Sequence, residues 1–233
     1  MTDTPRLSLP VIEAAQAQKH VTHNEALVLL DALVQLTVES RTLAAPPGSP
    51  AEGACYIPAA GATGAWGGWD GQIAVYSGGW LRIVPLSGLK AWVKTERLTI
   101  TFEDGVWRDG IALTASGGRV TLRAKEEELT LAGAFVETAD AAFIPDRAIV
   151  LGVAARTTLA VTGATSYAVG ISGEATKFGD LLGIALGSTN VGVIGPTAFY
   201  ADTKVRVSAN GGSFTGGKVR LVCYFLEMSA PAA

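Results

Sequence analysis

Lys218-Val-Arg-Leu-Val-Cys-Tyr-Phe-Leu226 alternates between two faces, as a strand half-buried in a core does. One face is wholly apolar and consists of Val219, Leu221, Cys223 and Phe225. The other face is mixed and includes Lys218, Arg220, Val222 and Tyr224. A second β-rich run, Val205-Arg-Val-Ser-Ala209, precedes it across the turn segment Asn210-Gly-Gly-Ser-Phe-Thr-Gly-Gly217. We therefore predict that the two runs form a hairpin with one buried face.

Further β-branched runs recur about every ten residues from Leu129 onward, with glycine-containing turns between them. The runs are Ala148–Ala154, Thr158–Val161, Tyr167–Ile171, Gly183–Leu186 and Val191–Ile194. This spacing is typical of an antiparallel β-sandwich of the jelly-roll type, which we predict for residues 129–233. The residues of this region form no catalytic constellation, so we expect a structural or binding module and not an enzyme.

A helix is predicted near the N-terminus, where Thr22-His-Asn-Glu25 fits a capping box. It should extend to Glu39 and end before Ala44-Ala-Pro-Pro-Gly48, because proline and glycine do not continue a helix. Apolar side chains surround it almost completely, and they include Leu27, Leu29, Leu30, Leu33, Val34 and Leu36. Either the rest of the chain sheaths this helix or neighbouring subunits bury its second stripe, and we favour an oligomer. We interpret residues 1–50 as an arm followed by an oligomerising or anchoring helix.

Residues 51–110 consist of short β runs interrupted by glycine, and they contain all five tryptophans of the chain. The turns Tyr76-Ser-Gly-Gly-Trp80 and Phe102-Glu-Asp-Gly-Val-Trp107 have the same order of aromatic residue, glycine-containing turn and tryptophan. We predict a small region of β-hairpins there. Residues 111–128 are interpreted as a strand followed by a solvated connecting segment, the charged run Lys125-Glu-Glu-Glu128. The whole chain is thus expected to be mainly β.

Charge and composition narrow the classes of partner. The net charge of −3 gives no basic field that would attract a phosphate backbone, so we expect no nucleic acid partner. The polar N-terminus lacks the apolar stretch of a signal peptide, and no run of about 18 apolar residues follows. We therefore expect no membrane segment and synthesis in the bacterial cytoplasm.

Histidine and cysteine residues are the usual candidates for metal binding, but in this sequence their spacing does not predict a metal site. His20 and His23 lie three residues apart at the predicted helix start, with only Asn24 and Glu25 nearby as further ligands. Capping or interface hydrogen bonds explain them better than a metal. Cys55 and Cys223 form no CxxC pair, so we expect two buried thiols and no disulfide. We predict no metal, no cofactor and no catalytic residue.

Pairs of acidic residues deserve a check because glycan-cleaving enzymes use two carboxylates. The pairs are Glu137 with Asp140, Asp140 with Asp146, and Glu174 with Asp180. Each lies among turn residues, where solvated carboxylates are ordinary, so a polysaccharide depolymerase ranks well below a binding protein. Two loops of the C-terminal region instead combine aromatic residues with Asp and Lys, a mixture that suits sugar binding. The candidate glycan contacts are Phe178, Asp180, Tyr200, Asp202 and Lys204.

Several strings of the chain resemble known proteins when they are taken together. In the N-terminal half they are Leu9-Pro-Val-Ile-Glu-Ala-Ala-Gln-Ala-Gln-Lys-His-Val-Thr-His-Asn-Glu-Ala-Leu27, Ala51-Glu-Gly53, Gly61-Ala-Thr-Gly-Ala-Trp66, Gly71-Gln-Ile-Ala74 and Gly79-Trp80. These strings resemble an N-terminal family of formally unknown function that occurs in prophage proteins and in the head-spike proteins of gene transfer agents, which are phage-like particles. C-terminal strings such as Gly195-Pro-Thr-Ala-Phe-Tyr200 resemble the module at the end of the same proteins.

The resemblance implies a protein on the surface of a phage-like particle that is released from the cell. Its N-terminal part would anchor to the capsid or to other spike proteins, and its distal part would help to engage a cell-surface polysaccharide. The resemblance implies no enzyme activity. It leaves open a purely structural base that carries another fibre protein. It also leaves open the number of subunits in the homo-oligomer, since a trimer suits a spike and a pentamer suits a capsid vertex.

Overall fold

The computed structural model describes residues 3–9, 11 and 19–231, and the chain divides into two compact units. The first unit is Met1–Gly110 and the second is Ile111–Ala233. Strands hold 49% of the residues and helix only 6%, so the prediction of a mainly β protein with one N-terminal helix is confirmed.

In the residues of the first unit that the structure describes, there are one α-helix, one 3-10 turn and several short strands. In chain order these are α1 (Lys19–Leu33), β1 (Thr37–Val38), β2 (Cys55–Tyr56), the 3-10 turn Gly64–Trp66, β3 (Ile73–Tyr76), β4 (Trp80–Ile83), β5 (Lys90–Val93), β6 (Leu98–Glu103) and β7 (Val106–Asp109). They form a four-stranded sheet in the order β1-β5-β6-β7 and a three-stranded sheet in the order β2-β3-β4. Among the strand pairs of the described residues, β1-β5 is parallel and the others are antiparallel.

The two similar turns of this unit form hairpins, as predicted. Tyr76 lies opposite Trp80 across the β3-β4 turn, and their ring centroids are 5.2 Å apart. Phe102 lies opposite Trp107 across the β6-β7 turn, again with 5.2 Å between the ring centroids. Cross-strand aromatic pairs of this kind stabilise short hairpins, which explains why the same sequence pattern occurs twice.

The helix differs from the prediction at both ends. Its described part, Lys19–Leu33, already includes residues before the predicted start at Thr22, and it ends at Leu33 instead of Glu39. The Arg6 guanidinium donates to the carbonyl oxygens of Asp31 (2.9 Å) and Ala32 (2.6 Å) in the last turn of the helix, and to that of Gln35 (2.9 Å) just after it. These contacts satisfy the carbonyls that a helix end leaves without partners, so the chain can turn there and continue into β1.

The core of the first unit is small. Its buried apolar residues are Ala32, Leu36, Val38, Cys55, Ile57, Ile73, Val75, Ala91, Val93 and Ile100. Leu36 and Val38 follow the helix and fill this core from the start of β1. The apolar pattern over 25–39 therefore mixes a helix with the strand that follows it, which is why the helix was predicted too long.

Over residues 111–231, all the elements of regular secondary structure in the second unit are strands. They are β8 (Ala112–Leu113), β9 (Arg119–Thr130), β10 (Phe135–Glu137), β11 (Ile149–Thr162), β12 (Ser166–Ile171), β13 (Glu174–Leu182), β14 (Thr189–Ala198), β15 (Arg206–Asn210) and β16 (Gly216–Ser229). One sheet has the order β14-β11-β16-β9-β8 and the other β10-β15-β12-β13. All pairs in both sheets are antiparallel, and side chains from both sheets share one core. The unit is thus an antiparallel sandwich.

Strand β16 has the buried face that its alternation predicts. Val219, Leu221, Cys223 and Phe225 are all 0–1% exposed. Its neighbours, however, are β11 and β9, whereas β15 pairs with β10 and β12 in the other sheet. The predicted hairpin of 205–209 with 218–226 is therefore wrong. Alternation determines which face of a strand is buried, but both sheets of a sandwich offer the same kind of face, so it does not choose the neighbour.

The segment 111–128, predicted to be a connection with a solvated end, contributes most of β9. The charged run 125–128 continues this strand and pairs with β16. Glu128 accepts hydrogen bonds from Lys218 (3.3 Å) and Arg220 (3.0 Å) on the neighbouring strand. Opposite charges across the strand pair make a run of three glutamates compatible with a sheet, and the sequence interpretation did not include that pairing.

Candidate functional site

The start of the chain is held against the end of the helix by one buried carboxylate. Asp31 is 2% exposed and accepts hydrogen bonds from the Thr4 hydroxyl (2.9 Å) and from the backbone N–H groups of Arg6 (3.0 Å) and Leu7. The Arg6 side chain meanwhile caps the helix, as described above. The side chains of Asp31 and Arg6 therefore fix residues 4–7 in place. We call this set of contacts the Asp31 clamp.

The structure separates the six residues predicted to form an oligomer or anchor interface. Leu29, Leu30 and Val34 are 40%, 48% and 40% exposed and form what we call the helix patch. Leu27 and Leu33 are partly buried. Leu36 is 3% exposed and belongs to the core, so its assignment to the interface is wrong. An interface through the remaining residues stays a prediction.

The predicted glycan contacts do not form one cluster. Phe178 is 3% exposed and lies in the sandwich core, so it is not a surface contact and that assignment is wrong. Asp180 accepts a hydrogen bond from the side-chain amide of Asn210 (2.8 Å), the last residue of β15. Lys204 precedes the start of β15, so it lies toward the opposite end of that strand from Asp180. No local sequence pattern predicts this separation.

Two loops of the second unit are joined along their length, and we call residues 144–148 and 199–203 the paired loops. Backbone hydrogen bonds connect Ile144 with Thr203 in both directions (3.0 and 2.9 Å). The Asp202 carboxylate also accepts a hydrogen bond from the backbone N–H of Asp146 (2.9 Å). Tyr200, which is 84% exposed, projects from this rigid base. A fixed loop with an exposed aromatic ring is a suitable contact for a ligand because little conformational entropy is lost on binding.

Beside the paired loops lies a hollow of about 270 Å³ that we call the arginine cleft. Its lining residues are Arg119, Thr121, Arg123, Asp146, Arg147, Glu227, Met228 and Ser229. Arg119, Thr121 and Arg123 alternate along β9, so they share one face of the strand. Opposite them on β16 lie Ser229, Glu227 and Phe225, and Phe225 belongs to the buried core. The face that forms the core thus continues as a polar cleft toward one end of the β9-β16 pair.

The charges in the arginine cleft are three guanidinium groups and two carboxylates. Nε of Arg123 lies 3.3 Å from a carboxylate oxygen of Glu227, and Nε of Arg147 lies 3.6 Å from one of Asp146. The Arg147 side chain is 85% exposed. Sequence reasoning missed this cleft, although the alternation of Arg119, Thr121 and Arg123 against Val120 and Leu122 is visible in the run that it assigned to a strand.

Three of the acidic residues considered for catalysis form ion pairs with separate basic residues. Glu137 binds Arg206 (2.6 Å), Asp140 binds Lys125 (2.9 Å) and Glu174 binds Lys177 (2.5 Å). The hydrogen bond from Lys125 and one from the backbone N–H of Ala142 hold the pKa of Asp140 below its usual value. A general acid of a glycosidase needs a raised pKa, so the environment of Asp140 favours the opposite behaviour.

Both cysteines are buried and free, as expected, and burial raises the pKa of Cys55 to about 11 and that of Cys223 to about 12. Within residues 3–9, 11 and 19–231, no three His, Cys, Asp or Glu side chains are grouped in a way that would hold a metal ion. In the same described part of the chain, no helix has both the length and the apolar character needed to cross a bilayer.

Residues 23–108 match the family described as "Protein of unknown function (DUF2793)". No curated protein matches the chain. Among solved structures, a chain from "Cyanophage Pam1 capsid asymmetric unit" is similar over 51% of this protein and 92% of its own length, with 20% sequence identity and a TM-score of 0.37. A likeness at that score does not establish a shared fold. The comparisons thus identify a region similar to DUF2793, and this region lies within the first unit.

Proposed function

We propose that the protein is a structural component of a phage-like particle, a head spike that anchors through its N-terminal part and contributes to attachment to a cell-surface polysaccharide. Two observations support the proposal. Residues 23–108 match a family of unknown function, and the strings of the N-terminal half resemble a family that occurs in prophage and gene-transfer-agent proteins. The division into two units agrees with separate anchoring and display roles.

The helix patch is the part of the first unit that best suits anchoring. Leu29, Leu30 and Val34 leave apolar surface in water, and covering it with a capsid protein, another spike protein or a second copy of the chain would be favourable. The Asp31 clamp supports this role, because it fixes the turn at 4–7 beside the same helix. An interface built on fixed elements loses less entropy on assembly.

Anchoring is tested by particle incorporation of the triple variant Leu29→Glu, Leu30→Glu, Val34→Glu. We expect the variant to be absent from purified particles while it remains folded, because charges at the centre of an apolar interface are costly to bury. Glu25→Lys, on an exposed position of the same helix, is the matched control and should be incorporated normally. Normal incorporation of the triple variant would contradict the anchoring role of the patch.

The same variant tests self-association. Native mass spectrometry of the wild-type protein distinguishes a monomer, a trimer and a pentamer directly. If the helix patch is the contact between subunits, the triple variant will be monomeric. If it contacts the capsid instead, the oligomer will be unchanged and only incorporation will be lost. A wild-type monomer would contradict the proposed homo-oligomer.

Polysaccharide attachment separates the spike from the alternative, a structural base that carries another fibre protein. A spike with a receptor role should bind purified capsular polysaccharide, whereas a base should bind only particle proteins. We also propose that the protein is not an enzyme. Incubation with capsular polysaccharide should therefore release no reducing ends, and a time-dependent release would establish a depolymerase instead.

A further inference from the structure

We infer that the outer face of the β1-β5-β6-β7 sheet binds a glycan chain, with one sugar ring stacked on Trp92 and a neighbouring sugar unit held in an adjoining hollow. This inference rests on the proposed polysaccharide attachment and specifies a site for it in the first unit. We call Trp92 and the residues around it on this face, Thr37, Lys90, Thr99 and Thr101, the Trp92 platform.

An exposed tryptophan stands at the centre of the platform. Trp92 is 43% exposed, whereas its chain neighbours Ala91 and Val93 are 1% and 0% exposed. Side chains alternate along a strand, so Trp92 points away from the core that Ala91 and Val93 fill. The strand register places Thr37 of β1 on one side of Trp92 and Thr99 of β6 on the other. The indole ring is therefore flanked by a hydroxyl-bearing residue on each neighbouring strand.

The polar surroundings of Trp92 favour a sugar over a protein partner. The residues that share its face by register are Thr37, Lys90, Thr99, Thr101, Glu103, Val106 and Arg108. Val106 is the apolar one among them. A stable protein interface buries about 800 Å² on each partner around an apolar centre, and a single ring among polar groups does not supply that. A sugar instead presents a C–H face to an aromatic ring and hydroxyl groups to the polar residues around it.

Thr99 has a hydroxyl group that is available to a ligand. The residue is exposed, and its hydroxyl makes no hydrogen bond to any residue that the structure describes. A hydroxyl group has one donor and two acceptor positions. Thr99 can therefore bind a sugar hydroxyl without losing a contact within the protein.

A hollow of about 410 Å³ continues the platform on the side of β1. Thr37 belongs to both the platform and the lining of the hollow. Lys94, another lining residue, follows Trp92 by two positions, which is about 7 Å along an extended chain. The backbone N–H of Lys94 donates to the carbonyl oxygen of Val38, so the pairing with β1 extends to this point. A glycan chain stacked on Trp92 would thus place a neighbouring unit in the hollow.

The charged side chains that line the hollow balance one another. They are Arg6 and Lys94 against Glu39 and Glu52. Lys94 lies 2.5 Å from a carboxylate oxygen of Glu39, and Glu52 accepts from the backbone N–H of Gly78 (3.0 and 3.2 Å). A carboxylate offers about four acceptor positions, so both glutamates can still accept from sugar hydroxyls. Balanced charge in the hollow favours an uncharged sugar unit over an anionic one.

The platform and the helix patch lie on opposite sides of the same sheet. Ala32 of α1 shares a buried core with Ala91 and Val93, so the helix is on the core side of β5. Trp92 is on the other side. Attachment of the protein through the helix patch would therefore leave the platform uncovered.

The inference is tested by calorimetric titration of the full-length protein with purified capsular polysaccharide of the host. We expect Trp92→Ala to weaken binding by about tenfold or more, because the stacked ring is lost. Trp92→Phe should retain part of the affinity. Leu81→Ala, at a residue that is 39% exposed on β4 in the other sheet of the unit, is the matched control and should bind like the wild type.

Thr99→Val provides a second variant that keeps the shape and the strand preference of threonine. It should weaken binding by about three- to tenfold through loss of one hydrogen bond, while the thermal midpoint stays that of the wild type. Tryptophan emission supplies a further signature. Polysaccharide should change the emission of the wild type and of Thr99→Val, and this change should be absent in Trp92→Phe.

The outcomes are separable. Binding that neither Trp92→Ala nor Thr99→Val weakens overturns the platform but leaves polysaccharide attachment intact. No binding of capsular polysaccharide by the wild type overturns both. Binding that is lost at about 1 M salt would indicate an ionic contact and overturn the stacked, uncharged sugar. Trp92→Ala that binds polysaccharide normally but is absent from purified particles would show that this face contacts a particle protein, and would also overturn the inference.

Discussion

The two units reach a buried core by different means. In the second unit, strands of up to 14 residues surround a core of twenty buried apolar residues drawn from both sheets. In the first, strands of two to six residues surround a described core of ten, and polar contacts fix the ends of the elements. One example is the Asp31 clamp. Another is the bidentate salt bridge in which Nε and Nη2 of Arg41 donate to the two carboxylate oxygens of Glu96 (2.7 and 2.6 Å). Stability should thus be spread over the second unit and concentrated in few contacts of the first.

The tryptophans make this difference measurable. All five of them, Trp66, Trp69, Trp80, Trp92 and Trp107, lie in the first unit. Trp66 is fully buried and its ring centroid lies 4.9 Å from that of Trp80. Intrinsic tryptophan fluorescence therefore reports on the first unit, whereas hydrogen exchange of amides in β11 and β16 reports on the second.

The largest effect is expected for Phe225→Ala in the core of the second unit. Phe225 is 1% exposed, and removing its ring should cost about 3–5 kcal/mol through lost transfer free energy and the cavity left behind. Exchange of the β11 and β16 amides in urea should accelerate accordingly. Tyr224→Ala, the adjacent residue, which is 43% exposed on the other face of the strand, should have a much smaller effect.

The fluorescence of the same variant tests whether the units differ in the way described. If each unit is held by its own core, the tryptophan transition of Phe225→Ala will match that of the wild type. A parallel shift of both signals would mean that the chain unfolds as one cooperative unit, and the comparison between the two cores would then fail.

Asp31→Ala should have the largest effect of any single polar substitution in the first unit. It leaves the Thr4 hydroxyl and the N–H groups of Arg6 and Leu7 without their acceptor, at a cost of about 1–3 kcal/mol or more. The tryptophan transition in urea should move to lower concentration. Glu25→Ala, an exposed acidic residue of the same helix, should leave it unchanged. An unchanged midpoint for Asp31→Ala would show that the clamp carries little of the stability.

Gly192→Ala examines close packing between strands of the second unit. A Cβ at Gly192 would lie 2.0 Å from the carbonyl oxygen of Phe178 and 2.6 Å from that of Val153, so the backbone must move. Overpacking of this kind costs about 1–3 kcal/mol. At Gly195, on the same strand, a Cβ would meet no atom within 4 Å. Gly195→Ala should therefore be neutral in thermal denaturation, and equal effects at the two positions would contradict this account.

The features of the fold that the sequence predicts correctly are those that depend on residues close together in the chain. The buried face of β16 and the two aromatic hairpins are confirmed because alternation and turn residues act over a few positions. The neighbours of β16 and the end of α1 were mispredicted because distant residues decide them. Arg6 caps the helix from 25 or more positions away, and β9 finds its ion-pair partners about 90 positions later.

The same distinction between local and distant residues applies to the candidate site. Residue types in the loops suggested sugar contacts, and Tyr200 is indeed exposed there, but Phe178 was wrongly placed at the surface. In a regular strand Phe178 and Asp180 would share one face, but the register of β13 against β12 shifts between Gly179 and Leu182, so Phe178 is buried while Asp180 is exposed. The arginine cleft was missed since it needs β9, β16 and the paired loops together. No local pattern brings those segments to one place.

The smallest effect on the free energy of unfolding is expected for Asp140→Asn. This variant measures how little a surface ion pair contributes compared with the buried core residues. The pKa of Asp140 is held below its usual value of 3.8 by Lys125 and the N–H of Ala142. A lowered folded pKa stabilises the protein above the unfolded pKa, and this contribution is lost as the pH falls through the folded pKa. Because the side chain is 45% exposed, the contribution should be at most about 1 kcal/mol at neutral pH.

Urea denaturation at pH 6 and at pH 3, followed by hydrogen exchange in the second unit, measures this contribution. The wild type should lose more stability between the two pH values than Asp140→Asn does. Lys125→Gln removes the partner, so its effect and that of Asp140→Asn should be less than additive in the double variant. Greater stability of the wild type at pH 3 than at pH 6, lost in Asp140→Asn, would indicate a raised pKa. That result would return Asp140 to consideration as a general acid, because only a carboxyl that keeps its proton near neutral pH can donate it to a glycosidic oxygen.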